Sequence, residues 1–430
     1  MSHALWGYIT PGMQGIDESM GNTGGALLRL TGSGSAAAAR SLSPGGWQAV
    51  LALALRHGVA PLLHRRLQTE GMLAAVPPEV AGRLTNARRA TAIDNLGAYG
   101  EFRRVAQALH AARIPLLALK GLHLAELVYR DIGLRPMSDL DVLVPRDRLR
   151  RALAALRDRG YRYNETLAAS AQAMSGVNEI TLRRPESGVN VDLHWGLNEI
   201  RGIGADSMQE IWRCARPARL GGSEALVMPP ELLLAHVCAH AACVSYFVSD
   251  VRVFCDVAEI VRVHPALDWN EVAAHTARHG WTRGVGAALR LARDHLGVPV
   301  PAQVLGALGA DALDPAMLAD AIAQMITAPG LPEGLATAPN LLALSSNASL
   351  VEKAALLWRR LFPPRAELAL LYGLPANAPR LPFYYALRVR DLARRYARGA
   401  GALLTGDPLL AETADRHARL KRWLAEPSEQ

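Results

Sequence analysis

Lysine is nearly missing from this chain of 430 residues: among 47 basic side chains only Lys120, Lys353 and Lys421 are lysines. The formal net charge of +8 therefore rests on arginines, which are spread along stretches such as "RRALAALRDRG". They are not gathered into a block interleaved with aromatics, so the pattern is that of a solvated, arginine-rich surface rather than a dedicated nucleic-acid face. Aromatics are scarce too, at 5% against 50% apolar residues. Ala and Leu dominate the apolar set, which favours helices as the bulk material of a soluble, globular protein. The cysteines, Cys214, Cys238, Cys243 and Cys255, show no Cys-x-x-Cys spacing. They are expected to be reduced and buried. The opening "MSHALWGYIT" lacks a basic region followed by an apolar core, so no signal peptide and a cytoplasmic location are expected. Long apolar runs are also missing. The longest uncharged one, "LLLAHVCAHAACVSYFVS", carries two histidines and small polar residues and is expected to be a buried core helix rather than a membrane span.

The length exceeds what one hydrophobic core usually serves, so two or three domains are expected. Residues 1–45 are rich in Gly, Ser and Ala and are expected to form a flexible leader or loosely docked arm. No Gly-Lys-Ser/Thr follows those glycines, which excludes a phosphate loop there. Residues 46–110 show helical spacing and predict an N-terminal helical layer. The pattern then changes. "IPLLALKG" predicts a strand, "GLHLAELVYRDI" a helix, "DLDVLV" a strand, "RDRLRRALAALRDRG" an amphipathic helix, and "NEITLRRP" and "VNVDLHWGL" two strands about the turn "PESG". The expected fold is thus α+β, a small mixed-sheet core over 111–215 embedded in helical layers, with a long helical region over 216–430.

In a strand, residues two apart share a face, so Asp139 and Asp141 project together. Side by side they repel and raise each other's pKa unless a cation sits between them. Hard oxygen ligands at this separation suit Mg²⁺. Asp192, in a strand of matching pattern, is the candidate third acid. Three carboxylates about two Mg²⁺ ions would support in-line attack on a nucleotide α-phosphate. Gly121 would open a helix whose amides face the phosphates, while Lys120 and Arg135 would neutralise triphosphate charge.

Together, the Lys-Gly, the following helix, "LRPMSDLDVLV", "VDLHW" and "HVCAHAACVSYFVSDVRVFCDVAEIV" resemble a largely uncharacterised bacterial nucleotidyltransferase family within the DNA polymerase β superfamily. The resemblance runs from about Trp47 into the C-terminal region, "LFPPRAELALLYGLP" included. It implies metal ligation by Asp139, Asp141 and Asp192, with Ser138 and Gly121 beside the phosphates. It also implies transfer of a nucleoside monophosphate from an NTP, with ATP the expected donor. One departure is Leu122, which stands where the superfamily commonly has a small phosphate-binding residue. The Lys-Gly opening is also similar to abortive-infection nucleotidyltransferase toxins.

Other residues carry weaker signals. His194 is expected to share the Asp192 face near the metal site, and Trp195 to pack in the core. His236 and His240, four apart, share a helix face, but no Glu follows His236 as in a zinc protease, so they are core histidines or line a nucleotide cleft. Asp250, Arg252 and Asp256 are expected on one helix, with Arg252 reaching substrate or pairing with Asp256. Tyr129, Arg130 and Asp131 would shape the triphosphate rim or simply end a helix. The acceptor stays open among a small molecule, a peptide or protein, and RNA. The competing readings are a catalytically silent nucleotide-binding or scaffold protein on the same fold and a toxin-like tRNA nucleotidyltransferase.

Overall fold

The computed structural model describes residues 17–32, 35–163, 178–197, 204–248, 251–327, 350–365, 368–369, 374, 377–404 and 408–425. The chain divides into two compact units, one of Met1–Tyr163, Asn178–Val244 and Asp250–Leu313, the other of Asn164–Val177, Ser245–Ser249 and Asp314–Gln430.

At the centre of the first unit is a six-stranded mixed sheet. Its strands are β1 (Leu117–Ala118), β2 (Asp139–Leu143), β3 (Glu179–Arg183), β4 (Asn190–His194), β5 (Arg216–Leu220) and β6 (Ser223–Val227), in the spatial order β3-β4-β2-β1-β6-β5. β2 runs parallel to β4 and β1 parallel to β6, while the remaining neighbours are antiparallel. The four expected strands are all present. The hairpin β5–β6 was not among them, and it extends the sheet past the 111–215 stretch. Its outer strand is largely exposed, so "RPARL" lacks the apolar alternation that marks a half-buried strand.

Helices precede and follow these strands. The first are α1 (Asp17–Thr31), α2 (Ser35–Ser41), α3 (Pro44–Arg56), α4 (Ala60–Thr69) and α5 (Pro78–Ala111). Helix α3 starts where it does because Ser43 accepts a hydrogen bond from the Gly46 amide and Pro44 presets the first turn. Most of the stretch expected as a flexible leader is instead helix: Leu27 and Leu30 of α1 are fully buried. At its end Gly32 packs so tightly that a Cβ would sit 2.6 Å from the Leu296 carbonyl oxygen. The small residues that suggested flexibility serve close helix packing here. Residues 1–16 lie outside the described residues.

Helix α5 runs for 34 residues, about 50 Å at 1.5 Å per residue, and backs the sheet. After β1 come α6 (Lys120–His123), continued by a π turn over Leu124–Val128, and α7 (Leu149–Arg157). Beyond β4 follow α8 (Ala205–Cys214), α9 (Pro230–Cys243), α10 (Val251–Val263), α11 (Trp269–Arg278), α12 (Thr282–Leu296) and α13 (Ala302–Ala307). Helix α9 is buried almost all round and packs on α10, α11 and α12, which is why its sequence reads as uninterrupted apolar material. No helix among the described residues is long and apolar enough to cross a membrane.

The second unit contains α14 (Pro315–Thr327), α15 (Leu350–Leu361), α16 (Leu381–Leu404) and α17 (Pro408–Ala425). Helices α14 and α17 are joined by Arg419, whose guanidinium donates to both oxygens of Asp320 at 2.8 and 3.0 Å.

Candidate active site

Strand β2 alternates half-buried Asp139 and Asp141 with fully buried Leu140 and Val142, so both carboxylates leave the core on one face. The parallel register sets Asp141 directly beside Asp192 on β4 and Asp139 beside Asn190. All three expected acids therefore share one face of two adjacent strands.

Each acid has a distinct environment. Burial and the negative charges of Asp141 and Asp192 push the Asp139 pKa up, only partly offset by a hydrogen bond from Ser138. Asp141 goes the other way. Burial alone would raise its pKa, but His194 donates from Nε2 to Asp141 Oδ1 at 3.0 Å, and Lys120 adds a positive charge, so the group is held well below the usual carboxylate range. Asp192 Oδ1 is buried with no hydrogen-bond partner. On the other side of His194, Nδ1 faces Glu179 Oε2 at 3.3 Å, because the β3–β4 register places Glu179 opposite His194. Glu179 was not singled out from the sequence, since its role needs the antiparallel pairing.

Lys120 opens helix α6 directly after β1, and Leu119 donates its amide to the Asp141 carbonyl at 3.1 Å, bringing that helix start against the acid strand. No side chain caps α6. A Cβ on Gly121 would lie 3.2 Å from Met137 Sδ, tight enough that the Met137 side chain would have to shift, and 3.7 Å from the Arg135 guanidinium, so the helix start approaches the 135–137 loop closely. Leu122, at the departure from the superfamily pattern, is 1% exposed and belongs to the core. The π turn that follows is a feature often found at functional sites.

Helix α5 clamps both approaches to this corner. Asn95, fully buried, donates from Nδ2 to the carbonyls of Ile132 and Arg135 at 2.5 and 2.8 Å and accepts from the Met137 amide at 3.3 Å. Tyr99 donates to the Leu122 carbonyl at 3.1 Å. Neither residue drew attention in the sequence, where Asn95 is one polar position in a helical pattern.

Arg135 makes an ion pair that its sequence context does not show. Its guanidinium is buried and donates from Nε and Nη2 to both oxygens of Asp256 on α10, and Tyr129 donates to the same carboxylate at 2.8 Å. The other terminal nitrogen, Nη1, lies close to Gly121 at the start of α6. Of the two roles left open for Arg252, pairing with Asp256 is not the one formed: Arg252 donates to the Pro136 carbonyl at 3.2 Å. At the supposed rim, Tyr129 is committed to Asp256, and Asp131 accepts from Arg88 and from the Gly133 amide. Asp250 lies outside the described residues. Trp195 is in the core, as expected.

His236 and His240 lie on α9 with ring centroids 6.5 Å apart. Burial first, then the charge of Lys120, pulls the His236 pKa down to about 3 and that of His240 well below its usual value. Both are neutral at pH 7 and within electrostatic reach of Lys120, Asp141 and His194.

Three carboxylates with one unpartnered buried oxygen and one pKa raised by its neighbours make a donor set that a hard divalent cation relieves, and Mg²⁺ fits it. The three do not form a closed cage: among the described residues, the trio whose ligand atoms all lie within 4.8 Å of one another is a different one, Glu210, His275 and His279. An open, one-sided acid face is what a metal shared with a phosphate substrate requires.

A mixed sheet carrying three acids on one face, beside a helix start with a lysine, defines a nucleotidyl-transfer class of site. The model of a family described as an uncharacterised nucleotidyltransferase matches residues 43–297, more than half of the chain and the whole of the sheet, and the protein belongs to that family. Membership supports a nucleotidyl-transfer function and a nucleotide substrate. The match ends at Gly297, so the C-terminal part of the expected resemblance lies outside it. No curated protein matches the chain, and no solved structure does.

Proposed function

We propose that the protein transfers a nucleoside monophosphate from an NTP, with ATP the expected donor, to a hydroxyl or amine acceptor, with Asp139, Asp141 and Asp192 holding Mg²⁺. The observation that carries this reading is the register that puts Asp141 beside Asp192 with Asp139 on the same face, next to the uncapped helix start at Lys120. When bound, Mg²⁺ supplies charge neutralisation to the triphosphate and lowers the pKa of the attacking group.

The chain's own residues do the rest. Lys120 contributes a compact positive charge to the phosphates, and the first amides of α6 offer donors that no side chain competes for. His194, itself steered by Glu179, fixes Asp141 as an anion. The acceptor oxygen or nitrogen attacks the α-phosphorus, the bond to the β-phosphate oxygen breaks, and pyrophosphate leaves. The Asp192 carboxylate takes the proton the acceptor loses, through the oxygen that does not hold the metal. Arg135 adds its positive charge beside the start of α6 and, through Asp256, fixes the loop that carries Ser138. A small molecule, a peptide or protein side chain, and an RNA end would all use the same acid face.

The test leaves the acceptor out. ATP, GTP, CTP and UTP are titrated with Mg²⁺ against the wild type and Asp139→Asn/Asp141→Asn, following the melting temperature, since a ligand that binds only the native state raises it. A Mg²⁺-dependent rise with one NTP, lost in the double variant, is the expected result. If no NTP shifts the wild type, the reading fails and a scaffold on the same fold takes its place.

A further inference from the structure

A second cluster stands apart from the acid face. Helix α8 carries Glu210, and helix α11 carries His275 with His279 directly after its last turn, one helical turn apart on the same side. One ligand atom from each of the three lies within 4.8 Å of the other two. The imidazoles are 5% and 2% exposed and stack with their planes 5° apart, and His275 Nδ1 and His279 Nε2 are both buried without a hydrogen-bond partner. Those two nitrogens face the Glu210 carboxylate, at 3.3 Å from Oε1 and 3.9 Å from Oε2.

We propose that Glu210, His275 and His279 form a zinc site that clips α8 to α11. The spacing fits: with metal–ligand bonds near 2.05 Å, two ligands on a tetrahedral Zn²⁺ lie about 3.3 Å apart. The nitrogen–oxygen separations already approach that value, so small side-chain shifts suffice to bring the atoms onto one ion.

The surroundings support the same reading. A ligating histidine usually hands its other ring N–H to an acceptor, which fixes the tautomer. His279 Nδ1 lies 3.0 Å from Ser207 Oγ, which leaves Nε2 with a free lone pair. His275 Nε2 lies 4.0 Å from Glu271 Oε2, the same relationship at longer range. Burial draws both histidine pKa values down, so each ring is neutral, the ligating form. Arg278 engages Glu210 Oε1, the oxygen that His275 also faces, while Oε2 faces His279. Two of the three, Glu210 and His275, also line a cavity of about 390 Å³ together with Arg213 and Cys214, which has room for a water ligand. Two nitrogens, one carboxylate oxygen and an open position form the ligand pattern of exchangeable zinc sites.

The test uses the full chain, stripped with EDTA and dialysed against Co²⁺ and then Zn²⁺. A tetrahedral nitrogen-containing site gives intense visible absorption with Co²⁺, which an all-oxygen octahedral site such as the acid face does not. The wild type is expected to bind one equivalent with such a band, and Zn²⁺ to displace it. His279→Ala and Glu210→Gln should each weaken Zn²⁺ binding by more than about 100-fold, and Ser207→Ala by about 10-fold, the size of an orienting partner's effect. Asp139→Asn/Asp141→Asn should keep the band, which separates this site from the nucleotide reading. Far-UV circular dichroism of the metal-free proteins identifies any variant that fails to fold, and Ser207→Ala is read in its place. A wild type without the band, or a band that survives the folded His279→Ala variant unchanged, overturns the proposal.

Discussion

Arg135 and Asp256, 121 residues apart in the chain, meet in a buried bidentate ion pair with both hydrogen bonds at 2.9 Å. The pair joins the loop before β2 to helix α10, and Tyr129 completes it from the end of the π turn. Taking two charges out of water is costly unless every donor and acceptor is matched, and here the fork geometry supplies the match. Removing one partner leaves the other buried and unpaired. Asp256→Ala should therefore cost about 3–5 kcal/mol of stability, and Tyr129→Phe only about 1 kcal/mol. Urea unfolding followed by intrinsic fluorescence measures both. Arg135→Lys keeps the charge and loses the fork, so it should cost stability as well, and an Arg135→Lys protein as stable as the wild type would sink the structural role of the pair.

The three acids divide by environment. Because burial and its neighbours raise the Asp139 pKa, its charge at pH 7 is a strain on the unliganded fold. Asp139→Asn is expected to leave the melting temperature of the metal-free protein unchanged or raise it by a few degrees, while removing the Mg²⁺-dependent response to NTP. Differential scanning fluorimetry with and without Mg²⁺ reads both effects in one experiment. A large drop in the melting temperature of the metal-free variant would contradict the repulsion argument.

Asn95 shows how a helix far from the chemistry holds the site. It satisfies two carbonyls and one amide in the 132–137 loop, so Asn95→Ala would leave those groups buried and unmet. Each orphaned group costs about 1–3 kcal/mol, and the loop carrying Ser138 loses its anchor. The expected result is a lower melting temperature together with a weaker NTP-induced shift. Asn95→Asp, which keeps the acceptor for Met137 and loses the donors, should be at least as damaging.

Local pattern was legible where chemistry and burial alternate along one strand. "SDLDVLV" and "VNVDLHW" announce two half-buried strands with acids on a common face, and β2 and β4 are those strands. What the sequence could not give was which charge meets which. Asp256 reads in the sequence as a partner for Arg252 on its own helix, yet it is paired with Arg135, a residue 121 positions away. The β5–β6 hairpin escaped for a related reason, because its outer strand is an exposed edge with little to alternate. The small-residue start of the chain reads as flexible by composition alone, and only the close approach of Gly32 to Leu296 explains the choice of glycine there. Glu210, His275 and His279 are 65 and 69 positions apart from first to second and from first to third, and nothing short of the fold brings them together.

Buried neutral histidines make the fold sensitive to acid. His236 carries a folded pKa of about 3 against its ordinary 6.5, so between those values the unfolded chain binds a proton that the folded chain does not. The stability this histidine contributes is therefore fully present above pH 6.5 and is lost as pH falls, at about 1.4 kcal/mol per pH unit. His240 acts in the same direction. Asp139, with its raised pKa, opposes them over its own range. The melting temperature should fall between pH 7 and pH 5, and His236→Leu should flatten that fall by about one proton's worth. An unchanged slope in a folded His236→Leu protein would rule out the histidine as its source.

His194 offers the sharpest separation of structure from chemistry. It touches Asp141 with Nε2 and faces Glu179 with Nδ1, and its hydrogen bond is the leading favourable influence holding Asp141 ionised. In His194→Phe the ring volume stays, so packing between β3 and β4 survives, while the donor is gone. Asp141 then depends chiefly on Lys120 to keep its proton off, and its pKa rises. The NTP-induced stabilisation in Mg²⁺ should consequently fade at a higher pH in the variant than in the wild type as the solution is acidified. The fold and the response near pH 8 should stay largely intact. A pH profile of the shift that coincides with the wild type would mean that His194 only packs, and a complete loss at every pH would mean that it touches the nucleotide or its metal itself.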